Sequence, residues 1–106
     1  MDIHSILDGC LGFEWDKGNS PKSLVKHRVT EGEAEQVFFN EPVLVTEDEK
    51  HSGKESRFHA LGKTDDERGL FIVFTVRRHL VRVISARNMN RKERAAYEEF
   101  KVDTEI

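Results

Sequence analysis

The order of apolar and polar residues predicts a helical first half, a strand-rich middle and a helix at the end of the chain. Segment 13–16, Phe-Glu-Trp-Asp, alternates apolar and acidic residues as a short edge strand does. Ser20 followed by Pro21 is the N-cap and first-turn pairing that starts a helix, which we expect to run to about His27. Residues 1–12 show no clear periodicity, so two alternatives remain for this N-terminal extension: a short strand or an irregular segment that precedes the domain.

A second helix is marked at both of its ends. Thr30 and Glu33 have the spacing of a capping box, in which each residue's side chain bonds the other's backbone N–H. Asn40 and Pro42 end the helix. The apolar face at helical spacing consists of Ala34, Val37 and Phe38, and Phe39 and Met89 are also assigned to the core.

Four short strands are predicted in the middle of the chain, over residues 43–46, 57–61, 70–76 and 80–86. The third is nearly all apolar, which is typical of a central strand that is covered on both faces. Asn90 with Glu93 is another capping signal and predicts a last helix from about residue 91 to 100. Short loops between strands favour an antiparallel meander, and helices grouped at the ends favour the α+β class.

The composition sets limits on the kind of protein. At 106 residues the chain is predicted to be one domain, residues 1–106. A single cysteine, Cys10, forms no internal disulfide, and no Cys/His spacing suits zinc. The sequence has neither an apolar run of about 18 residues nor a basic segment followed by an apolar leader. We therefore expect a cytoplasmic protein with no membrane partner, no metal and no cofactor.

Charge is distributed unevenly along the chain, although the net charge is only −3. Residues 1–69 hold nine basic and fifteen acidic residues, a balance of −6, whereas residues 70–94 hold seven basic residues and one acid. Six of those seven are arginine, whose planar guanidinium suits bidentate contact with phosphate. A local basic segment on an acidic protein predicts an RNA or phosphate site, with a solvated charged face as the alternative.

Two positions with basic residues are candidates for chemistry. Lys26 and His27 end the predicted first helix, where His27 could transfer protons and Lys26 could steer a phosphate. The alternative is that both only complement the dipole at the helix C-terminus. Arg82 is more informative, because a charged residue on a strand rich in Val and Ile usually faces a cleft or a partner.

Further candidates follow the last predicted strand. Arg91, Arg94 and Tyr97 recur every three residues, so their side chains share one helix face, and Arg87 precedes them. Together they predict a phosphate-binding cleft at the strand end, with an exposed basic helix as the alternative. Trp15 could stack on a base of single-stranded RNA, although a lone tryptophan is more often part of the core.

An ordered series of short motifs resembles the BrnT family of toxins over about residues 13–100. The matching stretches are 13–16, Lys26-His27, 33–38, His51-Ser52 with Glu55 and Arg57, Leu61-Gly62, 71–75 and, most specific, 82–87 followed by Asn90, 92–94 and Tyr97. The series as a whole is far more specific than any one of its members.

The resemblance implies a RelE-like fold, in which an antiparallel sheet of about four strands carries helices on one face and a C-terminal helix, and receives RNA on the other face. It implies a metal-independent endoribonuclease that arrests translation. It also implies a BrnA-like antitoxin with a ribbon-helix-helix DNA-binding end. The toxin would then contact DNA only as part of the toxin–antitoxin complex. The catalytic candidates are Lys26, His27, Arg57, Arg82, Arg87 and Tyr97, and the RNA-binding candidates are Trp15, Arg91 and Arg94. We assign proton transfer to His27 with Tyr97, and phosphate binding to the arginines with Lys26.

Two positions depart from the family pattern. Many relatives have glycine after the Lys-His pair and asparagine three residues before the lysine, where this chain has Arg28 and Ser23. Glycine suits a left-handed helix terminus, at which arginine costs about 1 kcal/mol. The two alternatives that follow are that the first helix ends differently and that the activity is weakened. The departures also leave room for a non-catalytic module that binds nucleic acid or a partner as a co-repressor or adaptor.

Overall fold

The computed structural model describes residues 5–16, 18–19, 26–51, 53 and 55–104. The helices in these ranges are α1 (Ser5–Asp8), α2 (Glu31–Phe39) and α3 (Arg91–Thr104), and the strands are β1 (Gly12–Phe13), β2 (Leu44–Glu47), β3 (Phe58–Lys63), β4 (Gly69–Arg77) and β5 (Leu80–Asn88). Lys26 and His27 are also helical, whereas residues 20–25 of the predicted first helix, Ser23 among them, lie outside the described residues. The N-terminal extension contains a helical turn that its sequence pattern did not indicate.

The strands form one mixed sheet in the order β1-β5-β4-β3-β2. The last four are an antiparallel meander, as the short loops predict. β1 joins in parallel, with Gly12 opposite Leu80 and Phe13 opposite Val81. The sheet thus has one strand more than the expected four and is not wholly antiparallel. The edge strand that the alternation at 13–16 predicts is present, but it is shorter and begins one residue earlier, because only Gly12 and Phe13 pair with β5.

The capping box of α2 is confirmed. The backbone N–H of Glu33 donates to Thr30 Oγ1 at 3.0 Å, and the N–H of Thr30 donates to Glu33 Oε1 at 2.9 Å. Ala34 and Val37 are buried, also as predicted. The helix can lie close to the sheet because Gly62 on β3 has no side chain, since a Cβ atom there would lie 2.9 Å from Val37 Cγ1.

The sheet buries a separate apolar cluster on each of its faces. α2 packs over the first, whose largest fully buried side chains are Phe74, Leu70, Ile72, Val37, Val45 and Val83. The second cluster, Leu61 with Met89 and Tyr97, joins α3 to the opposite face. Leu61 follows the buried Ala60 along β3, and successive residues of a strand point to opposite faces. Helices therefore lie on both faces of the sheet, which corrects the expectation that they pack on one face. We call the face beneath α2 the covered face and the opposite one the open face.

The remaining core predictions have mixed outcomes. Met89 is buried, and Phe38 packs edge-on against Phe74 with ring centroids 5.0 Å apart. Phe39 is 73% exposed, so its assignment to the core is wrong. Each helical residue is rotated by about 100° from the one before, so Phe38 and Phe39 cannot both face the sheet. Within the described ranges, no helix is both long and apolar enough to span a membrane.

Candidate active site

A shallow groove of about 490 Å³ opens on the open face, beside α3. Its floor is apolar and its rim carries charged and titratable side chains. The lining residues are Asp48, Lys50, His51, Arg57, His59, Phe71, Val73, Ile84 and Ser85. Ile84 and Ser85 are consecutive and both line the groove because the register between β4 and β5 shifts at Val73/Phe74, which leaves a β-bulge on β5.

Asp48 organises the polar side of the groove. It follows β2, and its backbone N–H donates to the carbonyl of Arg57 at 2.8 Å, which continues the strand pairing. Its buried carboxylate lies 3.0 Å from Nδ1 of His51 and 3.1 Å from Nε2 of His59. Burial raises the pKa of Asp48. The hydrogen bonds from the backbone N–H of His51 and from the two imidazoles lower it by more, so the pKa lies below its usual value.

This carboxylate fixes which ring nitrogens can meet a ligand. An ionised carboxylate only accepts hydrogen bonds, so the nitrogens that face it carry protons. Nε2 of His51 and Nδ1 of His59 are then the atoms that can accept or deliver a proton on the other side of each ring. Two histidines held by one acid, with Arg57 in the same groove, can perform general acid–base chemistry next to a cation.

Arg87 lies at the edge of the same face. Its guanidinium stacks on the ring of Phe71 at 4.2 Å, and His59 packs on that ring with centroids 4.8 Å apart. Two hydrogen bonds of 2.8 and 2.9 Å join the guanidinium to the carboxylate of Glu93 in the first turn of α3. The sheet therefore brings Arg57 and Arg87, two of the predicted catalytic residues, to one face.

Arg82 has a different environment. Its side chain is 12% exposed, and Nη1 lies 2.7 Å from Glu14 Oε1 and 2.8 Å from Asp16 Oδ2. A further bond of 3.0 Å runs from Nη2 to Asp16 Oδ1. Hydrogen bonding to Arg82 holds the pKa of Asp16 at about 2. These bonds tie the segment after β1 to β5, as expected of an arginine that pairs with carboxylates.

Lys26 and His27 are absent from the lining of the groove. They end a helical turn at Arg28, which has φ 54°, so this arginine adopts the left-handed conformation that glycine would favour. Arg68 holds this terminus by donating to the carbonyls of Arg28 at 2.8 Å and His27 at 3.1 Å. It also bonds Glu33 of α2 at 3.2 Å, which places the pair beside the helix of the covered face.

The remaining candidates are dispersed. Tyr97 is buried and its hydroxyl donates to the carbonyl of Pro42 at 2.7 Å. Arg94 bonds the carbonyl of Met89 at 3.2 Å, and Arg91 is exposed at the start of α3. Trp15 packs against the core of the covered face, and its Nε1 donates to Glu35 at 2.7 Å.

Sequence reasoning did not select Asp48 or His59, although a signal for both was present. His59 stands between Phe58 and Ala60 in an alternating strand, so it had to point away from the buried face. Asp48 and His51 are three residues apart around a turn, which is a common spacing for a side chain that closes on a nearby backbone N–H. What the sequence could not reveal is that one carboxylate reaches both histidines.

The groove residues and both arginines of the open face fall within a stretch that matches a known family. A search of curated proteins found no match. The family model for BrnT, described as the ribonuclease toxin of type II toxin–antitoxin systems, matches residues 15–93 of the 106. The match covers most of the chain, and it confirms the resemblance noted in the sequence. The chain therefore belongs to the BrnT family of ribonuclease toxins.

Proposed function

We propose that the chain is a metal-independent endoribonuclease and that the groove of the open face is its active site. The observation that carries the proposal is the contact of one buried carboxylate, Asp48, with both His51 and His59, at 3.0 and 3.1 Å, beside Arg57. Cleavage of RNA by its own 2′-hydroxyl needs a base, an acid and cations around the phosphate. The groove supplies all three kinds of group.

In the proposed reaction, one histidine takes the proton of the ribose 2′-hydroxyl while the 2′-oxygen forms a bond to the adjacent phosphorus. The bond from phosphorus to the 5′-oxygen breaks, and the second histidine protonates that leaving oxygen. The products are a 2′,3′-cyclic phosphate and a 5′-hydroxyl. Asp48 orients both rings, and Arg57 and Arg87 stabilise the charge that develops on the phosphate oxygens.

The other predicted residues take supporting parts in this proposal. Arg91 and Arg94, on the first turn of α3, would bind the RNA backbone next to Arg87. Arg82 and Tyr97 are engaged with carboxylates and a backbone carbonyl, which supports structural roles for them. A catalytic role for Lys26 and His27 stays a prediction, as does base stacking on Trp15.

Membership of the family implies an antitoxin. We propose that it is BrnA-like, with a ribbon-helix-helix end, and that DNA is bound only through the toxin–antitoxin complex. Translation arrest in the cytoplasm and a likeness to RelE belong to the same proposal. Induction of this chain alone should halt growth, whereas a co-repressor or adaptor without activity would be harmless.

The decisive experiment is cleavage of a labelled single-stranded RNA by the purified chain in the presence of EDTA. We expect full activity with the chelator, a 2′,3′-cyclic phosphate end and a bell-shaped pH profile. His51→Gln and His59→Gln should each lose about 10²-fold or more in rate. The matched control is His79→Gln, because His79 is exposed in the β4–β5 turn, away from the groove, and this variant should retain activity. Loss of activity on chelation would refute metal independence, and loss in His27→Gln alone would move the site away from the groove.

A further inference from the structure

A second surface feature lies on the covered face, at the edge formed by β1. It is an apolar pocket of about 190 Å³ between α1, β1 and the end of α2. Phe13, Phe38 and Val81 form its inner wall, and Leu11 and Phe39 form its outer rim. It shares no lining residue with the groove of the open face.

Two large apolar side chains are exposed on the rim of this pocket. Leu11 is 84% and Phe39 73% exposed, and Val102, at 57%, is the one other exposed large apolar side chain among the described residues. A cluster of large exposed apolar side chains around a pocket is typical of a protein-binding surface. The rim is also well anchored, because the N–H of Leu11 donates to the carbonyl of His79 at 2.7 Å and Phe39 packs edge-on against Phe13 at 5.8 Å.

The charges that flank the pocket are mostly acidic. Asp8 follows the lining residue Leu7, Glu35 lies one helical turn before Phe39, and Glu41 lies two residues after it. Two cations are also near: Arg82, which follows Val81, is balanced by Glu14 and Asp16, and Arg78 is exposed in the turn whose carbonyl accepts from Leu11. The surroundings therefore favour a partner with apolar anchors and flanking lysines or arginines.

We propose that this pocket, together with Leu11 and Phe39, anchors the antitoxin through a cationic amphipathic segment. The inference rests on the antitoxin that the family implies, and it does not depend on the catalytic groove. An amphipathic helix can place large apolar residues in such a pocket and its basic residues over the acidic flank. A second copy of this chain fits less well, because a symmetric contact through the pocket would bring the acidic flanks of both copies together.

The test is the affinity of the toxin for the purified antitoxin encoded beside it, measured by titration calorimetry. Leu11→Ser/Phe39→Ser should weaken binding at least tenfold, because exposed side chains that become buried at an interface centre dominate its affinity. Val102→Ser is the matched control and should bind as the wild type does. RNA cleavage per folded molecule of the double variant should stay at the wild-type value, and its melting temperature should fall only modestly, since Phe39 gives up one edge-on contact with Phe13. In stopped-flow measurements, Asp8→Lys should slow association with the antitoxin, which tests the charge argument.

Unchanged antitoxin affinity in the double variant would overturn the proposal, and so would an equal loss in Val102→Ser. A toxin that is dimeric alone and becomes monomeric in the double variant would identify a second copy as the occupant and would overturn it as well. If the wild type cleaves no RNA but the double variant still loses antitoxin binding, the proposed catalytic function fails and this inference stands.

Discussion

The two faces of the sheet are built from the same strands, yet they have opposite characters. On the covered face, Phe74 packs against Phe38 and Phe58, with ring centroids 5.0 and 5.5 Å away, and it is completely buried. On the open face, Phe71 lies in the same strand but has His59 and Arg87 as its ring neighbours, at 4.8 and 4.2 Å. One aromatic side chain therefore stabilises the core, and the other forms part of the floor of the groove.

The two strongly paired arginines of β5 show the same contrast. Arg82 is joined to Glu14 and Asp16, which lie far away in the sequence, and it fastens the β1 segment to the sheet. Arg87 is joined to Glu93, in the helix that borders the groove, and stacks on Phe71. Two arginines five residues apart on one strand thus belong to different regions of the molecule.

The largest expected effect tests the contrast between the two phenylalanines. Phe74→Ala should lower the free energy of unfolding by about 3–5 kcal/mol, because it leaves a cavity in a closed core. Phe71→Ala should cost clearly less stability but reduce RNA cleavage per folded molecule. Urea denaturation and single-turnover cleavage on the same preparations measure both quantities. Equal stability losses in the two variants would show that the open face is packed as tightly as the covered one.

A second comparison substitutes lysine for arginine, which keeps the charge but loses the planar fork. Arg82→Lys should lower the melting temperature on the order of 5 °C and leave cleavage per folded molecule unchanged. Arg57→Lys should lower the cleavage rate on the order of tenfold, since one charge-assisted hydrogen bond is worth about that much. Its melting temperature should change less than that of Arg82→Lys. A normal rate in Arg57→Lys would remove Arg57 from the site, and a loss of rate in Arg82→Lys beyond the loss of folded protein would return Arg82 to it.

The pairing of Arg82 also predicts an acid dependence of stability. The pKa of Asp16 is about 2 in the folded protein because of its hydrogen bonds with Arg82, against about 3.9 in an unfolded chain. A lowered folded-state pKa stabilises the protein above about pH 4, and this contribution is lost as the pH falls toward 2. Asp16→Asn should therefore flatten the dependence of unfolding free energy on pH between 4 and 2, as measured by urea denaturation. Parallel curves for the wild type and Asp16→Asn would contradict the assignment.

The smallest effect concerns the end of the helical turn beside α2. Arg28 has φ 54°, and glycine adopts this conformation without the cost that a side chain brings. Arg28→Gly should raise the free energy of unfolding by up to about 1 kcal/mol, since the carbonyl that accepts from Arg68 is kept. Arg28→Ala is the control and should bring no gain, because alanine retains the Cβ atom. A gain in the alanine variant would trace the effect to the arginine side chain instead of the backbone.

Much of the fold could be predicted because its signals are local. Thr30 with Glu33, and Asn90 with Glu93, mark helix starts through hydrogen bonds that span three residues, and both capping interactions form. The four antiparallel strands follow from alternation and short loops. The departure at Arg28 is also accommodated locally, because the residue takes the left-handed conformation that glycine would take.

The candidate site was predicted less completely. Arg57 and Arg87 were selected from the sequence, whereas Asp48 and His59 were not. His51 belongs to a family motif and to a weak cluster with Ser52 and Glu55, but it was not among the predicted site residues. The contact between Asp48 and His59 requires β2 and β3 to pair in one particular register, with Thr46 opposite His59, and no local sequence pattern specifies that register. Lys26 and His27 were selected as strongly as Arg57, because a sequence shows the chemistry of a side chain without showing its neighbours.

The sequence by itself determined the α+β class, the family and the starts of α2 and α3, because capping, alternation and motif order are properties of short stretches. The tertiary structure alone decided that Arg82 meets Asp16, 66 residues away, that Phe39 is exposed, and that α2 and α3 lie on opposite faces. These outcomes depend on which elements are packed together. A single-residue step along a strand or helix is enough to move a side chain from a buried cluster to an open surface.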